Sequence, residues 1–228
     1  MNAYTLTGPR LGGLFLPVTG CFATTPAAAA LNITGDIDLR ARASLRAIDN
    51  TGGAGRTLLG KWGSSGQRSY YFTVISTGRL QLVWTEDGST VKALGADADR
   101  SITDLDDGVP YWFRVTLDVD NGASGHTGRF YTSTDGATWN QLGSDLTGSG
   151  VTSIHVGTTA LEAGARTGST DPLDGTLYAV EVRNGINGTI VAAPSFVSPL
   201  SYWRDINGDT RWDGHRVWTI NGTACEWR

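Results

Sequence analysis

Cysteine is almost missing from this chain, glutamate is scarce, and long apolar runs do not occur. Cys21 and Cys225 are the only cysteines, so the chain is not one of the small scaffolds stapled by several disulfides. No stretch approaches the roughly 18 apolar residues of a membrane-spanning helix. Net charge is −4 and no basic run occurs, which argues against nucleic acid as a partner. The four glutamates, Glu86, Glu162, Glu181 and Glu226, follow no Glu-x-Asp-x-x-Glu pattern. Two carboxylates about 5 Å apart, as retaining glycoside hydrolysis requires, are therefore not written into one strand. The histidines, His126, His155 and His215, stand apart from any serine or cysteine motif, so no nucleophile and base pair is legible. The expectation is a protein without catalytic activity.

Glycine is plentiful instead, at 31 residues, and hydrophobic residues make up 39% against 18% charged. That balance supports a real core and excludes a disordered chain. The periodicity is strand-like almost throughout. In residues 36–45, Ile37, Leu39, Ala41, Ala43 and Leu45 alternate with Asp36, Asp38, Arg40, Arg42 and Ser44. In residues 111–119, Tyr111, Phe113, Val115, Leu117 and Val119 alternate with Trp112, Arg114, Thr116 and Asp118. A period of two with one polar face marks a half-buried antiparallel strand. Further strands are expected at 57–62, 69–75, 79–84, 128–133, 153–157, 176–183 and 216–220. Asp-Gly and Asn-Gly pairs at 87–88, 107–108, 135–136, 187–188 and 221–222 supply the positive φ values of tight turns. Residues 26–33 are the one helix candidate, two turns at most. Many short strands with such turns predict an all-β sandwich or jelly roll.

Two short motifs invite stronger readings. Val18-Thr19-Gly20-Cys21 resembles a bacterial lipobox, but Gly12, Gly13 and Pro17 break the apolar stretch before it and Arg10 is its lone basic residue; the expectation is that it is not processed. Ser133, Asp135, Gly136 and Trp139 nearly spell a sialidase Asp-box, one residue short between aspartate and glycine and present once. A hairpin is the better reading: a strand ending near Ser133, an Asp135-Gly136 turn, and a return strand starting at Trp139.

Residues 22–45, with "TPAAAALNITGDIDLR", resemble the opening of laminin-G-like, concanavalin A-like domains. Residues 57–89, 111–122 and 130–143 continue the likeness, and "VWTINGTACEW" (217–227) resembles the closing strand pair. This form is similar to domains of minor tail or capsid surface proteins in tailed phages of actinobacteria. The resemblance implies a concanavalin A-like jelly-roll sandwich of two antiparallel sheets over residues 20–228, preceded by an N-terminal arm at 1–19. It further implies a structural virion component, assembled in the host cytoplasm and displayed on the virion surface, whose sandwich could touch host glycans. Residues 1–20, rich in Gly, Thr and Pro, would then contact other virion proteins or further copies of the chain in a homo-oligomeric assembly. The alternative is a free-standing lectin module with a site in its loops. The first and last strands pair in the fold it resembles, which would bring Cys21 and Cys225 together as a disulfide or a close pair of thiols.

Two candidate sites fall in the irregular segment near the C-terminus. Asp205, Asn207, Asp209 and Asp213 occupy positions 1, 3, 5 and 9 of a calcium-loop pattern, but Thr210 replaces the turn glycine and Arg216 the final carboxylate. An Asn-Gly turn with capping aspartates is the plainer reading, and no cofactor other than calcium is suggested. Trp203 and Trp212 flank this segment, and aromatic rings beside Asp, Asn and Arg suit either sugar stacking or a protein contact.

Overall fold

The computed structural model describes residues 12–17, 20–49, 53–168, 170–197, 210–212, 217–222 and 225–227. These form seventeen strands: β1 (Leu14–Leu16), β2 (Phe22–Thr25), β3 (Ile37–Leu45), β4 (Arg56–Lys61), β5 (Tyr70–Ile75), β6 (Arg79–Thr85), β7 (Val91–Gly95), β8 (Tyr111–Asp118), β9 (Gly125–Ser133), β10 (Asn140–Gln141), β11 (Leu146–Ser149), β12 (Leu161–Ala163), β13 (Gly175–Asn184), β14 (Thr189–Ala192), β15 (Thr210–Trp212), β16 (Val217–Asn221) and β17 (Glu226–Trp227). One sheet runs β10-β9-β8-β3-β13-β1-β17, with β11 added to β9 and β14 to β13; the other runs β15-β16-β2-β12-β4-β5-β6-β7. All strand pairs are antiparallel. Among the described residues, helix is limited to two single 3-10 turns, Ala29–Leu31 and Ala98–Arg100. The first lies inside the stretch where the sequence allowed a short helix.

The alternation in β3 and β8 explains the layering. Leu39, Ala41, Phe113 and Val115 turn inward and are fully buried, while Asp38, Arg40, Trp112 and Arg114 face out. From the other sheet Phe72, Leu82, Trp84 and Trp218 complete the core. Phe72 and Phe130 meet across the two layers with ring centroids 6.4 Å apart. Each such buried side chain contributes about 1.5–3 kcal/mol of apolar transfer.

Three expectations need correction. First, the arm does not extend to residue 19. Leu14–Leu16 is a sheet strand, pairing with β13 on one side and β17 on the other, and all three residues are buried. The apolar sequence Leu-Phe-Leu is core material, so it is drawn into the sandwich; residues 1–11 lie outside the described residues. Second, β2 does not pair with the final strand. It pairs with β16, Thr24 opposite Thr219 and Ala23 opposite Ile220, while β17 crosses to β1 in the other sheet. Trp218 and Ile220 have the period-two spacing that fills the core beside Ala23, and a register set by an apolar face is strongly specified. Third, residues 153–157 form no strand and join no ladder. The Ile154 amide donates to the Thr34 carbonyl and the His155 amide to that of Thr85, so the segment ties the loop before β3 to the end of β6 instead.

Candidate functional site

The outer face of the nine-stranded sheet carries an ion-pair network beneath an aromatic surface. Register places Glu181, Arg40, Arg114 and Tyr131 in one row across β13, β3, β8 and β9. Arg40 and Arg114 are directly opposed, a repulsive arrangement unless something intervenes. Asp38 intervenes. Its carboxylate is fully buried and accepts a forked pair of bonds from each guanidinium: Arg40 Nε at 3.1 Å and Nη2 at 2.8 Å, Arg114 Nε at 3.0 Å and Nη2 at 2.8 Å. Asn187 closes the network. Its amide donates to Asp38, and its side-chain oxygen accepts from Nη2 of both arginines. Arg40 also pairs with Glu181 at 3.1 Å, and Glu181 with Arg183 at 2.5 Å. Burial pushes the Asp38 carboxyl up, but the hydrogen bonds from Arg40 and Arg114 outweigh it and hold the group below its usual value. Forked, charge-assisted bonds of this kind are what make buried charge tolerable.

Trp139 lies on this floor. The Arg40 and Arg114 guanidinium carbons stand 5.5 and 5.4 Å from its ring centroid, and Arg114 also stands 5.0 Å from that of Tyr131. Trp112 meets Trp139 edge to face at 6.5 Å. The stretch that resembles an Asp-box is what puts Trp139 there. Ser133 Oγ donates to Asp135 and accepts from the amides of Asp135 and Gly136; Asp135 Oδ1 accepts from the amides of Ala137 and Thr138. Those bonds lower the Asp135 carboxyl to about 2. Gly136 has φ +77°, and a Cβ there would lie 2.8 Å from the Trp112 ring. Only glycine lets the turn settle on Trp112. The hairpin closes with Asn140 opposite Thr132 and Gln141 opposite Tyr131. The motif is a hairpin, as expected, with the added effect of laying a half-buried tryptophan over two arginines. The sequence showed Asp38 and Arg40 on one face of a strand, but nothing in it linked them to Arg114, Trp139 or Asn187.

The opposite sheet offers a smaller polar cluster. Glu162 faces outward from β12, both carboxylate oxygens 3.0 Å from the Gly168 amide. Burial raises its carboxyl above the usual value, partly offset by that bond. Nearby, Arg166 pairs with Asp171 at 2.6 Å and stands 4.8 Å over the Tyr71 ring. Glu86 is elsewhere again, bound to Lys92 and Thr152.

Of the residues singled out from the sequence, Trp203, Asp205, Asn207, Asp209 and Asp213 lie outside the described residues. Trp212 is placed by its backbone only, opposite Val217 at the end of β15. Among the described residues no three His, Cys, Asp or Glu side chains gather closely enough to hold a metal. Cys21 and Cys225 are both buried and are not joined by a disulfide. They flank one close approach: a Cβ on Gly222 would lie 3.0 Å from Cys21 Cα, and the Cys225 thiol donates to the Asn221 carbonyl at 2.8 Å.

No protein-family model matches the chain, and no curated protein matches it in sequence. Solved structures do match in shape. The carbohydrate-binding module CBM40 of the Ruminococcus gnavus IT-sialidase, bound to α2,3-sialyllactose, superposes with a TM-score of 0.50 at 14% identity, over 78% of this chain and 94% of that one. The leech intramolecular trans-sialidase superposes with a TM-score of 0.50 at 12% identity, over 86% of this chain and 29% of the enzyme. At such identities the likeness establishes the fold alone, a jelly roll of two antiparallel sheets.

Proposed function

We propose that the chain is a glycan-binding module whose ligand stacks on Trp139, at the outer face of the nine-stranded sheet. The observation that carries this reading is a half-buried indole held in place from below by two locked guanidinium groups. A sugar ring needs a fixed apolar plane beside polar groups that meet its hydroxyls. Trp139 supplies the plane, Trp112 stands edge to face beside it, and Glu181, Arg183 and Gln141 lie on the same face of the sheet. The ion pairs beneath hold the ring before any ligand arrives, so little ordering cost falls on binding. A similar fold in complex with sialyllactose supports the same class of ligand.

The module is read as non-catalytic. Glu181 is engaged by two arginines, Glu86 by Lys92 and Thr152, and Glu162 sits on the other sheet. One shallow stacking site gives weak affinity, which many copies in an assembly would multiply. Display on a virion surface is a setting that the sequence resemblance alone implies. The test is titration of the purified chain against a panel of oligosaccharides, with reducing ends followed in parallel. Saturable binding that Trp139→Ala weakens at least tenfold, without release of reducing ends, is expected. Binding indifferent to Trp139→Ala places the site elsewhere, and turnover overturns the non-catalytic reading.

A further inference from the structure

Arginines on the outer face of the nine-stranded sheet are paired with carboxylates in every case but one. Arg40 and Arg114 share Asp38, Arg183 binds Glu181, and Arg129 binds Asp145. Arg42 makes no ion pair among the described residues. It sits in β3 opposite Trp112, two residues along from Arg40. Its guanidinium carbon stands 5.3 Å from the Tyr178 ring centroid, and its Nε is buried without a hydrogen-bond partner. Two local features hold that arrangement. The β13 register shifts between Leu177 and Ala179, which sets Tyr178 beside Arg42. Gly13 leaves room for the ring, since a Cβ there would lie 2.9 Å from Tyr178 Cδ1. Residues 1–35 hold no aspartate or glutamate that could supply the missing charge.

An arginine reaching freely into water needs no partner. Arg42 differs because it is only partly exposed and one of its donors is already stripped of water. A dehydrated cation without a counter-charge costs free energy until an anion meets it. We propose that Arg42 is an anion-binding subsite of the Trp139 face, and that the favoured ligand is a sugar carrying a carboxylate. Spacing fits one saccharide unit. Two residues along a strand span about 6.8 Å, so the β3 backbone positions of Arg40, beneath the indole, and Arg42 stand roughly one pyranose ring and a substituent apart. The planar fork of a guanidinium pairs bidentately with a carboxylate. Tyr178 behind the guanidinium fixes its direction, as Asp38 fixes those of Arg40 and Arg114.

This inference rests on the glycan-binding reading, and the experiment separates the two. The whole chain is titrated at low and high salt with a neutral oligosaccharide, the same oligosaccharide bearing one carboxylate, and a version bearing one sulfate. The wild-type chain should prefer the carboxylated form by about tenfold, the worth of one charge-assisted contact, and salt should shrink that ratio. Arg42→Gln should bring the carboxylated form to the affinity of the neutral one, and Arg42→Lys should restore only part of the preference. Thermal melts verify that both variants remain folded. A carboxylate preference that survives Arg42→Gln overturns the subsite. Equal binding of sulfate and carboxylate overturns the assignment of a carboxylate ligand. Failure of the wild-type chain to bind any of the three overturns the glycan reading itself.

Discussion

Arg40 and Arg114 stand directly opposite one another on neighbouring strands and grip the same carboxylate, that of Asp38. Two like charges in register would push β3 and β8 apart. The buried aspartate turns that repulsion into a cross-strand clamp, and Trp139 covers the result.

Asp38→Asn should therefore destabilise the fold by about 3 kcal/mol at neutral pH, because two nearly buried guanidinium groups lose the carboxylate they share and Arg40 keeps only Glu181. The Asp38 carboxyl is held below its usual value, so its stabilisation is complete above the unfolded-state value of about 3.9. That stabilisation is lost as pH falls through the lower folded value. Urea unfolding from pH 7 to pH 2 should show the gap between wild type and variant closing only below about pH 4. A constant gap would falsify the clamp.

The hairpin that carries Trp139 can be loosened bond by bond. Ser133→Ala should speed hydrogen exchange at the Asp135 and Gly136 amides, whereas Asp135→Ala should speed it at Ala137 and Thr138. Ser133 is buried, and its loss should cost about 1 kcal/mol. Because the Asp135 carboxyl titrates at about 2, protection in the wild-type turn should persist down to roughly that pH. Early loss of protection in acid would show that other bonds hold the turn.

Glu162 predicts the opposite pH sense. Burial raises its carboxyl, so the ionised form weakens the fold, and this group's contribution to stability grows as pH falls through the folded value. Glu162→Gln keeps an oxygen for the Gly168 amide and removes the charge. Its melting temperature should exceed that of wild type at pH 7 and match it near pH 4. A variant less stable at pH 7 would mean that the charge has a partner of its own.

Gly222→Ala should destabilise by more than about 1 kcal/mol. The residue has φ +108°, and a Cβ would come within 2.2 Å of the Gly20 carbonyl oxygen, a place that no alanine can take without backbone movement. Chemical denaturation reads the change. In the same unfolded samples, thiol titration should count two thiols before any reductant is added.

Sandwich architecture was legible in residues 36–45 and 111–119, because a period of two with one polar face has a single outcome for a chain with a core to cover. The Asp135-Gly136 turn was legible for a similar reason: its backbone needs are local. Strand partners were not local. Leu14–Leu16 reads as part of an arm until β13 and β17 accept it as a core strand. The end of the chain likewise splits between two sheets, a choice made by the core that Trp218 and Ile220 help to fill. The candidate site belongs wholly to this second kind of information. Asp38, Arg114, Trp139 and Asn187 are spread over 150 residues, and their side chains meet only because register stacks β13, β3, β8 and β9 in that order. Local alternation tells each residue which way to face. Only the packed sheets decide what it faces beside, and that decides whether an arginine is clamped, like Arg40, or left open, like Arg42.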